Sequence, residues 1–150
     1  MENASIDQID SEILSILARQ GRLSHRELGR KVGLSPNAAG ARVQRLIDKG
    51  VIVGFKAVID HAALGRPIEA SIDVWQKEDR DRESFDALAA NDQRITECFH
   101  LTGPLDFRVR ARVSSPEDLN DLLLRMQQEG GVRQTDSRLV LEHIAVTEQS

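Results

Sequence analysis

Apolar positions in the first sixty residues recur at helical spacing, and from Pro67 onward the period changes to two. Ile9, Ile13, Ile16 and Leu17 make one helical stripe. Asp7 and Asp10 stand at the end where the helix dipole favours carboxylates, and Gly21 reads as the stop. In "SHRELGRKVG", Ser24 and Glu27 have capping-box spacing, Leu28 and Val32 supply the apolar side, and Gly33 ends the helix. Ser35 caps a third helix, with Pro36 at its first position and Gly50 past its end. Ala39, Val43, Leu46 and Ile47 are its packing side. Two capped helices joined through "GLS" predict a helix-turn-helix. The following "VIVGFKAVIDHAALGRP" is apolar enough in its first half to predict a strand, and its second half reads as a loop.

Ile68, Ala70, Ile72 and Val74 alternate with Glu69, Ser71, Asp73 and Trp75, a strand with one buried face. A helix follows, carrying Phe85, Leu88 and Ala89, then a strand in "RITECFHLTG" ending at Gly103. "DFRVRARV" sets Phe107, Val109, Ala111 and Val113 against Arg108, Arg110 and Arg112. A serine-capped helix with a Leu119, Leu122, Leu123 and Met126 stripe ends at two glycines, and "SRLVLEHIAV" predicts the closing strand. Strand, helix, strand, strand, helix, strand is the ferredoxin-like βαββαβ order, both helices on one face of an antiparallel sheet. The expected fold is therefore α+β: a helix-turn-helix domain over 1–53, a linker strand and loop over 54–66, and a ferredoxin-like domain over 67–150.

Charge sharpens this division. The net −4 conceals +2 over residues 1–60 and −6 over residues 61–150. Between Arg19 and Lys56 only Glu27 and Asp48 oppose the cations. A locally basic segment on an acidic chain points to a polyanion partner for that segment. No apolar run approaches the roughly 20 residues of a membrane helix, and the first residues lack the basic and apolar parts of a signal peptide, so a cytoplasmic protein without a membrane partner is expected. The single cysteine excludes an intramolecular disulfide, and Cys98 reads as a core thiol. His25, His61, His100 and His143 have no metal-ligand spacing; no metal, cofactor or catalytic group is expected.

The third helix carries the most specific chemistry. A recognition helix needs small or amide side chains near its N-terminus, so that the backbone can enter the major groove, and cations that reach guanine edges or phosphates. Ser35, Asn37, Ala38 and Ala41 meet the first need, and Arg42 and Arg45 the second. Phosphate contacts fall to Arg26, Arg30, Lys31 and Lys49, and base contacts to Asn37, Arg42 and Arg45. Gly40 weakens the helix by about 1 kcal/mol relative to alanine. Either the groove approaches very closely there, or the helix is partly loose until DNA orders it.

"IDQIDSEILSIL", "GRLSHRELGRKVGLSP", "RVQRLIDKGVIVGF", "ECFHLTGPLDF" and "GVRQTDSRLVLE" occur in this order, and the chain from about Ile6 to Glu142 resembles the leucine-responsive/AsnC-type (feast/famine) transcription regulators. The resemblance implies a winged helix-turn-helix that binds double-stranded DNA, and an effector domain that dimerises. It further implies assembly of homodimers into higher oligomers such as octamers, with an amino acid or related small molecule bound between dimers. By position, "TGPLD" matches the family's G-x-x-D loop, which makes Thr102, Gly103, Leu105 and Asp106 candidate effector contacts, joined by Thr135 and Ser137 from a neighbouring dimer. A strand-ending glycine exposes N–H groups to a carboxylate, and Asp106 offers a counter-charge for an α-amino group. Gly and Asp are also ordinary turn formers.

Arg108, Arg110 and Arg112 share a sheet face with Glu69, Asp73 and Trp75, either solvated or a partner surface. An alternative function, an enzyme resembling the siroheme decarboxylases, would use His100 and these arginines but would leave the basic third helix without a purpose.

Overall fold

The computed structural model describes residues 5–79 and 82–144, and the chain divides into two compact units at Val58/Ile59. The first holds α1 (Gln8–Arg19), α2 (His25–Val32) and α3 (Pro36–Asp48). Each begins at the cap its sequence carries. The Asp10 N–H donates to Asp7 Oδ1 at 2.8 Å while Asp10 Oδ2 accepts from the Asp7 N–H at 3.3 Å, so the two aspartates form a capping box on α1. Ser24 and Glu27 repeat it on α2, and Ser35 Oγ accepts the Ala38 N–H at 3.1 Å on α3. Gly33 ends α2 in the left-handed region, φ 72°. Helix α1 stops at Arg19 with Gln20 as its cap, just short of Gly21.

Ile13, Leu28, Ala39, Val43 and Leu46 are buried together where the three helices meet. Ile47, expected on this side, is 39 % exposed, at the rim of a groove it shares with Leu17, Leu28 and Val43. Two glycines let backbones approach. A Cβ on Gly29 would stand 2.5 Å from the Leu34 carbonyl oxygen, where α2 presses on the turn. A Cβ on Gly40 would stand 2.6 Å from His25 Nδ1. Gly40 therefore admits a neighbouring side chain of its own domain, a reason that the sequence alone does not give.

Residues 53–60 are neither helix nor strand, so the expected linker strand is absent. A strand needs a partner ladder, and among the described residues none is present; Val53 and Val58 are almost fully exposed.

The second unit holds β1 (Ile68–Gln76), α4 (Arg82–Asn91), β2 (Ile95–His100), β3 (Phe107–Val113), α5 (Pro116–Gln128) and β4 (Val132–Leu139). The sheet order is β2-β3-β1-β4, antiparallel throughout, with β1 and β3 central. Ala70, Ile72, Val74, Phe107, Val109, Ala111 and Val113 face one side and bury Phe85, Leu88, Leu122 and Met126 of the two helices. This is the ferredoxin-like arrangement. Two strands differ from expectation. β2 ends at His100, short of Gly103, because the loop that follows turns back to β1. β4 begins directly after the glycines, at Val132, and stops at Leu139, opposite Ala70, with one further bond from the Val140 N–H to the Glu69 carbonyl at 2.9 Å. Its polar residues from Arg133 to Ser137 hide it from a hydropathy reading; Ala145 and Val146, the end of the strand expected there, lie outside the described residues.

Below β2, Asp92 is buried and holds Arg94 and Arg125, each at 2.7 Å; Arg94 also reaches Asp118 and Asp121, both at 2.8 Å. The Arg94 guanidinium keeps the Asp92 carboxyl below the usual carboxylate range, outweighing the opposing effect of burial. Cys98 sits on edge strand β2 and is exposed, so it is not a core thiol. Its partner Val109 points to the helix side, where β2 packs on α4. Desolvation against that helix, and then Asp86, raise its pKa, which leaves the thiol protonated at neutral pH.

Candidate nucleic-acid interface and effector loop

Helix α3 packs through Ala39, Val43 and Leu46. The opposite stripe, at spacings of four, three and four, is Asn37, Ala41, Gln44 and Asp48, all exposed. Ser35 and Asn37 stand at its N-terminus, and Ala38 is half-buried at the flank. Arg26, Arg30 and Lys31 on α2, and Lys49 at the end of α3, are exposed and hold no carboxylate by ion pair among the described residues. An exposed, capped helix with a small-residue N-terminus and cations at its borders fits the requirements of major-groove docking.

Arg42 and Arg45 are tied to the start of α1, although the Arg45 side chain stays 44 % exposed. Arg42 Nη1 donates to Asp7 Oδ2 at 2.6 Å and to Asp10 Oδ1 at 2.9 Å, and Arg45 Nη2 donates to Asp10 Oδ2 at 2.5 Å. The Asp10 side chain is 1 % exposed and has both guanidiniums as partners, so losing either leaves a buried carboxylate short of a contact. The Arg42 hydrogen bond lowers the Asp7 pKa, and the same bond, then that to Asp10, raises that of Arg42. Sequence spacing on α3 alone could not show this, because the partners lie 32 to 35 residues away, at the start of another helix. Gln44, which the sequence places on the outward face, emerges as a prominent polar side chain there; its Nε2 donates to Asp48 Oδ1 at 2.8 Å.

The effector-loop candidates are on the connection between β2 and β3. Thr102 and Gly103 are exposed, Leu105 and Asp106 half-buried, and Gly103 has φ 112°, which favours glycine. Asp106 closes the loop onto β1: its N–H donates to the Val74 carbonyl at 3.0 Å and its Oδ2 accepts the Gln76 N–H at 2.8 Å. One carboxylate oxygen is thus committed to the fold. Thr135 and Ser137 lie on β4 opposite Val74 and Ile72, across β1 from this loop, so a single chain leaves two strand spacings, about 10 Å, between the groups.

On the sheet face away from the helices the opposed charges do pair. Arg108 and Arg138 hold Asp73 at 2.7 and 3.2 Å, and Arg110, Arg112 and His143 hold Glu69 at 2.7, 2.5 and 2.6 Å. Asp73 is lowered chiefly by Arg108. Burial alone would raise Glu69, but His143, Arg112 and Arg110 outweigh it and lower the pKa. Sequence reasoning misses Arg138 and His143 as partners here, because the polar start of β4 conceals how that strand pairs with β1. His100 rests on the Phe107 ring, 4.9 Å between centroids. The groups an enzyme would need on this sheet are occupied in holding it together.

A capped helix-turn-helix followed by a ferredoxin-like sheet defines a DNA-binding protein with an attached ligand-binding domain. Residues 6–53 match the winged helix-turn-helix DNA-binding family, and residues 70–149 match the Lrp/AsnC ligand binding domain. The chain is 32 % identical to the leucine-responsive regulatory protein of Haemophilus influenzae, over 97 % of this chain and 89 % of that one. It is also 32 % identical to the transcriptional regulator AldR of Mycobacterium tuberculosis, over 94 % of this chain and 80 % of that one. Among solved structures it is similar to a transcriptional regulator of Neisseria meningitidis in complex with L-methionine, with TM-score 0.89, 29 % identity, and coverage of 96 % of this chain and 95 % of that one. The protein belongs to the Lrp/AsnC family of transcription regulators. The relatives are named as regulators and not as enzymes, so the decarboxylase-like alternative is set aside.

Proposed function

We propose that the chain reads a specific operator through α3 and changes its assembly or DNA affinity when an amino acid binds near Gly103 to Asp106. The outward stripe of α3, small and polar beside uncommitted cations, is the observation that carries the DNA half of this reading. Ser35, Asn37, Ala38 and Ala41 lie at the groove, and Arg26, Arg30, Lys31 and Lys49 meet phosphates. Two protomers of a homodimer place their helices about one DNA turn apart, and dimers join into a larger assembly such as an octamer in the cytoplasm. Thr102, Gly103, Leu105 and Asp106 from one dimer, with Thr135 and Ser137 from another, surround the effector. The L-methionine bound to the Neisseria relative supports an amino-acid ligand.

The test is fluorescence anisotropy on the protein's own promoter DNA with competitor DNA present, repeated with each amino acid. Binding that survives competitor and shifts with one amino acid supports the reading. Asp106→Asn keeps an oxygen for the Gln76 N–H but loses the charge, so it should bind DNA normally and lose the response. A full response in that variant refutes the role of Asp106.

A further inference from the structure

The outward face of α3 offers one side chain with an oriented donor and acceptor. Gln44 lies one turn beyond Ala41 and two beyond Asn37, away from the Ala39, Val43 and Leu46 contact. The Asp48 carboxylate accepts and has no proton to donate, so the amide nitrogen of Gln44 faces it. One N–H is thereby used, and Oε1 with the second N–H remains for an outside partner. Arg42 and Arg45 have the opposite situation. Each guanidinium donates to Asp10, whose side chain is 1 % exposed, and Arg42 to Asp7 as well. Withdrawing either one to meet a guanine would leave a buried carboxylate short of a partner, so the clamp and base contact compete.

We propose that Gln44 is the specificity-determining side chain of α3, and that Asp10 holds Arg42 and Arg45 as positioning residues, off the base edges. Gln44 presents the donor–acceptor pair that matches N6 and N7 of adenine in the major groove. Asp48 fixes the plane of its amide, and Asp7 and Asp10 fix α3 against α1 so that the amide enters at a constant depth. The proposal rests on the operator-reading function above.

The test is selection of binding sites by the full-length protein from a pool of randomised duplex DNA, repeated with Gln44→Ala, Gln44→Arg and Arg45→Lys. The unaltered protein should enrich a two-fold motif. Gln44→Ala should lose preference at one A·T pair per half-site, a roughly 10- to 100-fold drop in discrimination there, with other positions unchanged. Gln44→Arg should turn that position toward G·C. Arg45→Lys should weaken every sequence alike, because it acts through helix placement. A motif unchanged by Gln44→Ala, or one position erased by Arg45→Lys, overturns the proposal while leaving the regulator reading intact. If the unaltered protein enriches nothing, that reading falls and the proposal with it.

Discussion

Gly40 gives the sharpest test of why this helix-turn-helix has its composition. In an exposed helix, replacing an interior glycine by alanine stabilises by about 1 kcal/mol, because glycine loses more backbone freedom on folding. Here the new Cβ would stand 2.6 Å from Nδ1, 3.0 Å from Cε1 and 3.2 Å from Cγ of His25. No carbon–nitrogen pair tolerates the first distance, so the ring must swing away. His25 is the first residue of α2 and exposed, so it can move, losing its contact with α3 and its preferred rotamer at a cost of about 1 kcal/mol. The two effects nearly cancel, and Gly40→Ala alone should change stability little or lower it slightly. With His25→Ala present the clash is gone, and Gly40→Ala should then stabilise by about 1 kcal/mol. A coupling of about 1 kcal/mol between the sites is therefore expected. Because the chain has two compact units, the quantity is best read from site-resolved hydrogen exchange of amides in α2 and α3. Equal stabilisation by Gly40→Ala in both backgrounds would refute the argument that His25 is the reason for the glycine.

Two further outcomes follow from packing and charge. Gly29→Ala meets a backbone oxygen at 2.5 Å, which cannot swing aside, so it should destabilise the first unit by about 1–3 kcal/mol in the same exchange measurement; a neutral result would mean the turn is not rigid. In acid, Asp92 and Asp73 have pKa values held below their unfolded ones, so their stabilisation is complete above the ordinary carboxylate range and is lost as pH falls through the lowered values. The second unit should thus be insensitive to pH near neutrality and lose stability below about pH 4, and Asp92→Asn should flatten that loss in denaturant titrations. An unchanged acid slope in Asp92→Asn would show that its pairs with Arg94 and Arg125 contribute nothing.

What was readable in the sequence was local or periodic. The caps at Ser24, Ser35 and Ser115 are set by residues three positions apart, so each helix start could be placed without knowing the fold. The charged sheet face was legible too, since Glu69 and Asp73 share a period of two with the arginines they bind. What escaped depends on distant contact. β4 is polar and joins the sheet only because β1 lies beside it, and Gly40 is explained by a histidine on another helix. Cys98 lies in a strand, away from any helix start, and so reads as a core thiol, whereas an edge strand leaves one flank open.

The arginines of α3 carry the same lesson into function, and salt dependence can measure it. The sequence assigns four cations to phosphate, Arg26, Arg30, Lys31 and Lys49, and Arg42 and Arg45 would make six if they too met the backbone. In the fold, Arg42 and Arg45 are already neutralised by Asp7 and Asp10, which leaves four. Each phosphate neutralised adds about −0.9 to the slope of log affinity against log salt. Four cations predict a slope of about −3.6 per protomer on duplex DNA, and six would give about −5.4. Anisotropy titrations of the promoter across a salt series distinguish these values. Removing Arg30 or Lys49 should reduce the slope by about 0.9 each, whereas Arg42→Ala should lower affinity and leave the slope unchanged. A slope near the larger value, falling when Arg42 is removed, would mean that DNA draws the arginines away from α1. The carboxylates at the start of α1 would then act as a stand-in for phosphate, released on binding, and not as a permanent brace for the helix.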